Sequence, residues 1–152
     1  MSSANGTLFY PNISSPSTMS FNLHPTLEKD CIELGRLSLC RVLLMNDSQF
    51  PWLILVPERE NLKEIHHLSS EDQQLVMRES CHVAKNLAEH FQADKMNIAA
   101  LGNMVSQLHI HHVVRYQKDK AWPAPIWGKF DALPYTEQDL EIIISQLRKL
   151  LF

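Results

Sequence analysis

The run Gln107-Leu108-His109-Ile110-His111-His112-Val113-Val114-Arg115 constrains this chain most. Ile110, Val113 and Val114 are β-branched, which favours extended backbone, where successive side chains alternate between two faces. The pattern predicts a strand over 107–115. Gln107, His109 and His111 then share one face, with neighbours roughly 7 Å apart along it. Two imidazoles and an amide line a core poorly, because each buried polar atom must find a partner. One face of this strand is therefore set aside for polar work.

The rest of the chain supplies helices and strands joined as hairpins. Residues 1–22 are rich in Ser, Asn, Pro and Thr, with Leu8-Phe9-Tyr10 as the main apolar spot, and read as a flexible N-terminal arm. Leu27, Cys31 and Leu34 recur at four and three before Gly35, which predicts a short helix over 25–35. Strand-like runs at 39–45 and 52–56 flank the turn candidate Asn46-Asp47-Ser48-Gln49, and Pro57 stops the second run. Ser69 and Ser70 open a helix to about Gln92, with Asp72 or Gln73 completing a capping box and Val76, Val83, Ala84, Leu87 and Phe91 as its stripe. A strand is expected over 96–101, broken by Gly102-Asn103. Thr136 caps a last helix bearing Leu140, Ile143, Ile144, Leu147 and Leu151 on one face. The sum is an α+β domain over 23–152, closed by a C-terminal helix. No βαβ alternation with a glycine-rich loop occurs, which argues against a Rossmann or P-loop fold.

With 152 residues and 45% hydrophobic content the chain can bury one core. A net charge of −3 argues against nonspecific binding to nucleic acid but leaves a small nucleotide in a pocket open. Cys31, Cys40 and Cys81 are odd in number and form no CxxC pair, which fits reduced thiols in a cytoplasm. No apolar run reaches the roughly 18 residues of a membrane span, and no signal peptide is visible. The glycosylation patterns at Asn5, Asn12 and Asn46 carry no weight without secretion.

Three chemistries compete for the histidine face. His109 and His111 could be a structural pair on a half-exposed strand. As His-x-His they could chelate zinc, with further ligands sought among His66, His67, His82 and His90, although no metal box accompanies them. The third is phosphoryl chemistry. A neutral imidazole, with an ordinary pKa of about 6.5, is a competent nucleophile toward phosphorus. A second imidazole can give a proton to the leaving group. Gln107, Asn103 and backbone N–H groups after Gly102 can hold phosphoryl oxygens. His112 points away from His109 and is left out of the chemistry.

The segment Asn97-Ile98-Ala99-Ala100-Leu101-Gly102-Asn103-Met104-Val105-Ser106-Gln107-Leu108-His109-Ile110-His111 resembles the signature of the histidine triad (HIT) family, in which three histidines alternate with hydrophobic residues. His109 and His111 stand at the second and third positions, and Gln107 at the first. This is similar to a bacterial branch with a Gln-x-His-x-His core. Trp122-Pro123-Ala124-Pro125-Ile126-Trp127-Gly128 and the hairpin run from Phe50 to Pro57 extend the likeness to about residues 22–130. The resemblance implies a HIT-like antiparallel sheet with flanking helices, usually in a homodimer. It implies that His109 attacks the α-phosphorus of a nucleotide to form a covalent nucleotidyl-histidine, that His111 orients phosphate and leaving group, and that Gln107 supports the site through its amide. It further implies a substrate-binding role for Asn97, which stands before the histidine strand, for Asn103 in the phosphate loop, and for Asp47 at the ribose hydroxyls. Arg115 follows the strand and by its charge is a candidate contact for phosphate or for a carboxylate. Met104 stands where many members carry a serine hydroxyl.

The expectation is a cytoplasmic homodimer that hydrolyses a nucleotide phosphoester, a phosphoramidate or a dinucleoside polyphosphate, with the His109 ring bare at the bottom of a cleft. The histidine chemistry requires no cofactor and no metal; Mg²⁺ could accompany a polyphosphate substrate. No nucleic-acid or membrane partner is expected. The other outcome is a nucleotide-binding module with little turnover. Trp52, Trp122 and Trp127 read as packing residues rather than as walls stacking on a base.

Overall fold

The computed structural model describes residues 20–152; the arm expectation for residues 1–19, including Leu8-Phe9-Tyr10, lies outside them. The element order is α1 Pro25–Asp30, β1 Cys31–Arg36, β2 Cys40–Met45, β3 Trp52–Pro57, α2 Ser70–Phe91, β4 Lys95–Ala99, β5 Ile110–Arg115 and α3 Glu137–Leu151. The strands form one sheet in the order β1-β2-β3-β5-β4, every neighbour antiparallel. This is the expected α+β architecture.

Alternation along the strands divides the sheet into two faces. Val42, Leu44, Leu53, Leu55, Ile110 and Val114 point to one face, where α2 and α3 cover them with Val76, Val83, Leu87, Leu147 and Leu151. Both helices start on a side-chain cap: Ser69 accepts from the Asp72 N–H, and Thr136 from the Asp139 N–H. Helix α3 is tied to the edge strand by Arg148, which donates to the Leu34 carbonyl, and by Phe152, whose ring lies where a Cβ on Gly35 would come within 2.9 Å. Any larger residue at 35 would push that ring away.

The opposite face carries two smaller apolar clusters. Leu27, Leu43, Ile54 and Val56 form one, with Phe21, Leu23 and Val105 against it. Phe50, Val113, Ala121 and Ile126 form the other. Among the described residues no long helix covers this side; the segment before α1, the 100–109 connection and the 116–136 connection do.

Two expectations need correction. The predicted helix over 25–35 is helical only through Asp30, and Cys31–Arg36 pairs with β2. Leu27, Cys31 and Leu34 mimic a helical stripe, yet Leu27 and Cys31 belong to the cluster on one side of the sheet and Leu34 to the core on the other. The histidine strand begins at Ile110 rather than 107. Gln107 and His109 precede it, so strict alternation does not govern where Gln107 points.

Candidate active site

His111 sits within β5, opposite Ile54 on one neighbour and Ala99 on the other. Trp52, on β3, shares its face and donates its indole N–H to His111 Nδ1 at 3.0 Å. An indole nitrogen only donates, so His111 Nδ1 carries a lone pair and its proton resides on Nε2. The Trp52 and Trp127 rings flank the imidazole, with centroids at 5.6 and 5.5 Å. Burial, with smaller contributions from His109 and His112, pushes the His111 pKa down to about 3. His111 is thus a neutral ring that presents an N–H.

His109 stands just before the strand, its ring centroid 5.0 Å from that of His111. Its Nδ1 lies 2.6 Å from the Gln107 carbonyl oxygen. A carbonyl only accepts, so Nδ1 bears the proton and Nε2 holds the lone pair. The two imidazoles are therefore held in opposite tautomers, one with a free lone pair and the other with a free N–H. The His109 ring is not bare as expected: the residue is 7% exposed.

Gln107 is the largest departure from expectation. Its amide faces the chain before α1: Oε1 accepts the His24 N–H at 2.8 Å, and Nε2 donates to the Asn22 carbonyl at 2.9 Å. His112 behaves as expected, fully buried on the helix-covered face. Its Nδ1–H donates to the Ile110 carbonyl and its Nε2 accepts from the Ser80 hydroxyl at 2.7 Å.

The other predicted residues divide. Asn103 is exposed on the connection after Gly102, whose φ of +75° suits glycine. Arg115 is 1% exposed and turned into the fold, and of the two expected contacts it makes the one with a carboxylate. Its guanidinium grips Asp119 through two bonds and donates to Asn97 Oδ1 at 2.7 Å and to the Ala124 carbonyl. A buried guanidinium persists only when its donors are matched in this way. Asn97 joins the same network through its Oδ1. Asp119, with its pKa held down at about 2 by Arg115, also accepts the N–H groups of Tyr116, Ala121 and Trp122. The network thereby folds the connection that brings Trp127 to His111.

Asp47 is 4% exposed, and its Oδ1 accepts from the Gln49 backbone, the Gln49 side chain and the Leu133 N–H. That is the backbone-bonding role of a turn aspartate. Asp47 also lines a cavity of about 380 Å³ with Lys29, Asn46, Phe130 and Trp52, so Trp52 touches both this cavity and His111.

Among the described residues no group of three or more His, Cys, Asp and Glu side chains is arranged to hold a metal ion. Of the candidates for further ligands, His66 and His67 meet edge to face, and His82 bonds to the Leu151 carbonyl. Sequence reasoning missed Trp52, Trp127 and the Asn22–His24 backbone. Only Trp52 left a signal: alternation puts it on the face of Ile54 and Val56, away from the helix-covered core.

Residues 26–118 match the family model of the HIT domain. Solved structures agree over most of the chain. A histidine triad protein from Marinobacter aquaeolei VT8 is 50% identical, with 87% of this chain and 96% of that one covered at a TM-score of 0.85. One from Bradyrhizobium japonicum is 41% identical, covering 88% and 99% at 0.85. One from Sinorhizobium meliloti 1021 is 42% identical, covering 86% and 97% at 0.83. No curated protein matches the sequence. The match over 26–118 and these three structures establish that the chain belongs to the histidine triad (HIT) domain family.

Proposed function

We propose that the protein is a nucleotide hydrolase or nucleotidyl transferase that works through a covalent intermediate on His109. The observation that carries this reading is the opposite locking of the two rings: His109 Nδ1–H on the Gln107 carbonyl, His111 Nδ1 on the Trp52 N–H. His109 Nε2 attacks the α-phosphorus, the bond to the leaving group breaks, and the leaving group departs with its electron pair, taking up a proton from solvent as it goes. Water then attacks the same phosphorus and gives up a proton to solvent, the P–Nε2 bond breaks, the nucleoside monophosphate is freed and the electron pair returns to Nε2.

His111 assists as a hydrogen-bond donor to a phosphoryl or leaving-group oxygen. It does not serve as the acid, because a neutral imidazole held at Nδ1 by Trp52 has no proton to surrender near neutral pH. Asn103 and the backbone after Gly102 supply further donors, and the cavity beside Trp52, with Asp47 in its wall, takes the nucleoside. Phosphoesters, phosphoramidates and dinucleoside polyphosphates are the substrate classes, with Mg²⁺ as a companion of the last. A homodimer fits β4, an edge strand whose Ile98 is 48% exposed. A reducing cytoplasm fits three unpaired cysteines, and no helix of the described residues is long and apolar enough to cross a membrane.

The second reading, a nucleotide-binding module with little turnover, draws on the burial of His109. One experiment separates the two. The protein is incubated with an adenylated fluorogenic phosphoramidate and, separately, with a dinucleoside polyphosphate, then quenched for intact mass. Turnover and a nucleotidyl adduct, both lost in His109→Ala, support the enzyme. Nucleotide binding without adduct or turnover supports the module.

A further inference from the structure

Gln107 makes three bonds, one to His109 two residues on and two to backbone more than 80 residues away. Its backbone carbonyl takes the Nδ1 proton of His109. Its side chain pairs with the His24 N–H and the Asn22 carbonyl, as a neighbouring strand would. A carboxamide suits this task because its donor and acceptor point the same way, whereas the two nitrogens of an imidazole diverge. The peptide carrying the Gln107 carbonyl is held from its other side too, since the Leu108 N–H donates to the Leu62 carbonyl.

The segment that Gln107 grips is itself anchored. Phe21 and Leu23 pack on the cluster of Leu27, Leu43, Ile54 and Val56. The Phe21 ring lies 5.2 Å from the Arg41 guanidinium carbon. His24 Nδ1 accepts the Thr26 N–H at the start of α1. The Asn22–His24 backbone is thus a fixed post beside the histidine loop.

We propose that Gln107 is a positioning residue that uses the Asn22–His24 backbone as its post, so that docking of this segment sets the tautomer and aim of His109. The inference rests on the reading of His109 as nucleophile. Turning the 107–108 peptide moves the carbonyl that holds the Nδ1 proton and releases the ring to its other tautomer, which places a hydrogen where the lone pair must be. The segment ahead of α1 becomes part of the catalytic support, and whatever displaces it lowers the fraction of His109 ready to react.

The test uses the full chain. Gln107→Met keeps the size and removes both side-chain bonds. His24→Pro removes the N–H that Gln107 accepts, at a residue whose φ of −58° and ψ of 134° already suit proline. His24→Ala keeps that N–H while losing the ring. Tautomers of His109 are read in the free protein by long-range ¹H–¹⁵N correlation, and kcat and KM on the phosphoramidate. We expect the Nδ1–H tautomer to dominate in the parent and to give way in Gln107→Met and His24→Pro. With it, kcat falls about tenfold while KM changes less than about twofold, the pattern for a group that acts through the nucleophile. His24→Ala loses less than His24→Pro. The double variant is no worse than Gln107→Met alone, because both break one tie. An unmoved tautomer and kcat in Gln107→Met, or independent addition of the two losses, overturns the proposal. If Gln107→Met does not fold, the comparison of His24→Pro with His24→Ala decides alone. Because the tautomer is read without substrate, a parent protein that turns over no nucleotide but shows the shift sinks the proposed function and leaves the tie standing.

Discussion

His111 and His112 are neighbours on β5 and face opposite sides of one sheet. On the helix-covered side His112 has both ring nitrogens satisfied, by Ser80 and by the Ile110 carbonyl, and is fully buried. On the other side His111 is held at Nδ1 by Trp52, and among the described residues its Nε2 has no hydrogen-bond partner. Residue type and backbone are the same; only the layer beyond differs. A packed helix consumes the polar capacity of a histidine. Short connections and aromatic rings hold one nitrogen and leave the other to a ligand.

The comparison breaks most visibly at His109, the proposed nucleophile. His109→Ala should cut turnover by at least about three orders of magnitude, since removing a nucleophile removes the covalent route. Circular dichroism should show the fold intact. Residual turnover within tenfold of the parent would mean that the open face does not act through His109.

Acid reaches both faces. Burial pushes the pKa of His111 down to about 3 and that of His112 to about 4. An unfolded chain protonates its histidines near about 6.5. Below that pH the unfolded state takes up protons that the folded state refuses, so stability is fully present above about 6.5 and declines as pH falls toward the folded pKa values. The His112 contribution alone is on the order of 3 kcal/mol between neutrality and pH about 4. Urea unfolding across this range should show the decline, with a shallower slope in His112→Leu. Below that window Asp119, held down at about 2, adds its own loss as the pair with Arg115 is protonated away.

Trp52→Phe tests the open face alone. It keeps an aromatic ring and deletes the N–H to His111 Nδ1, so His111 is free to change tautomer and to take a second proton. We expect kcat to fall about 10- to 100-fold, the usual cost of losing a residue that orients a functional ring. The acid limb of the kcat profile should move to higher pH. An unchanged profile would show that the tautomer of His111 does not matter.

How much of this was legible in the sequence follows from the range of the forces involved. The β2–β3 hairpin, α2 and α3 announce themselves because their apolar periods and caps are local: Ser69 and Thr136 bond three residues ahead. The helix expected over 25–35 failed because the spacing of Leu27, Cys31 and Leu34 does not tell which side of a sheet each will meet. His111 and His112 were readable as facing opposite sides, since alternation needs only β5, and His109, just before the strand, still meets His111. The tautomers were not readable, because they depend on Trp52, which lies 59 residues from His111. Gln107 depends on backbone more than 80 residues away. Arg115 looked like a phosphate ligand because a lone arginine always does; its partners Asn97 and Asp119 become visible only when β4 pairs with β5 and the following connection turns back.

The covered face offers the smallest and most diagnostic effect. Ser80 lies on α2 with its hydroxyl 2.7 Å from His112 Nε2. Because Nδ1–H is committed to the Ile110 carbonyl, Nε2 is the acceptor and the hydroxyl must donate. Ser80→Ala leaves a buried lone pair unmatched where water has little room, and such an acceptor costs about 1–3 kcal/mol. The expected result is that loss in urea unfolding, with kcat and KM on the phosphoramidate at parent values, because the sheet stands between Ser80 and the pair of His109 and His111. Ser80→Ala with full stability and reduced kcat would mean that strain at His112 passes through β5 to His111, and that the two faces of the sheet are not independent.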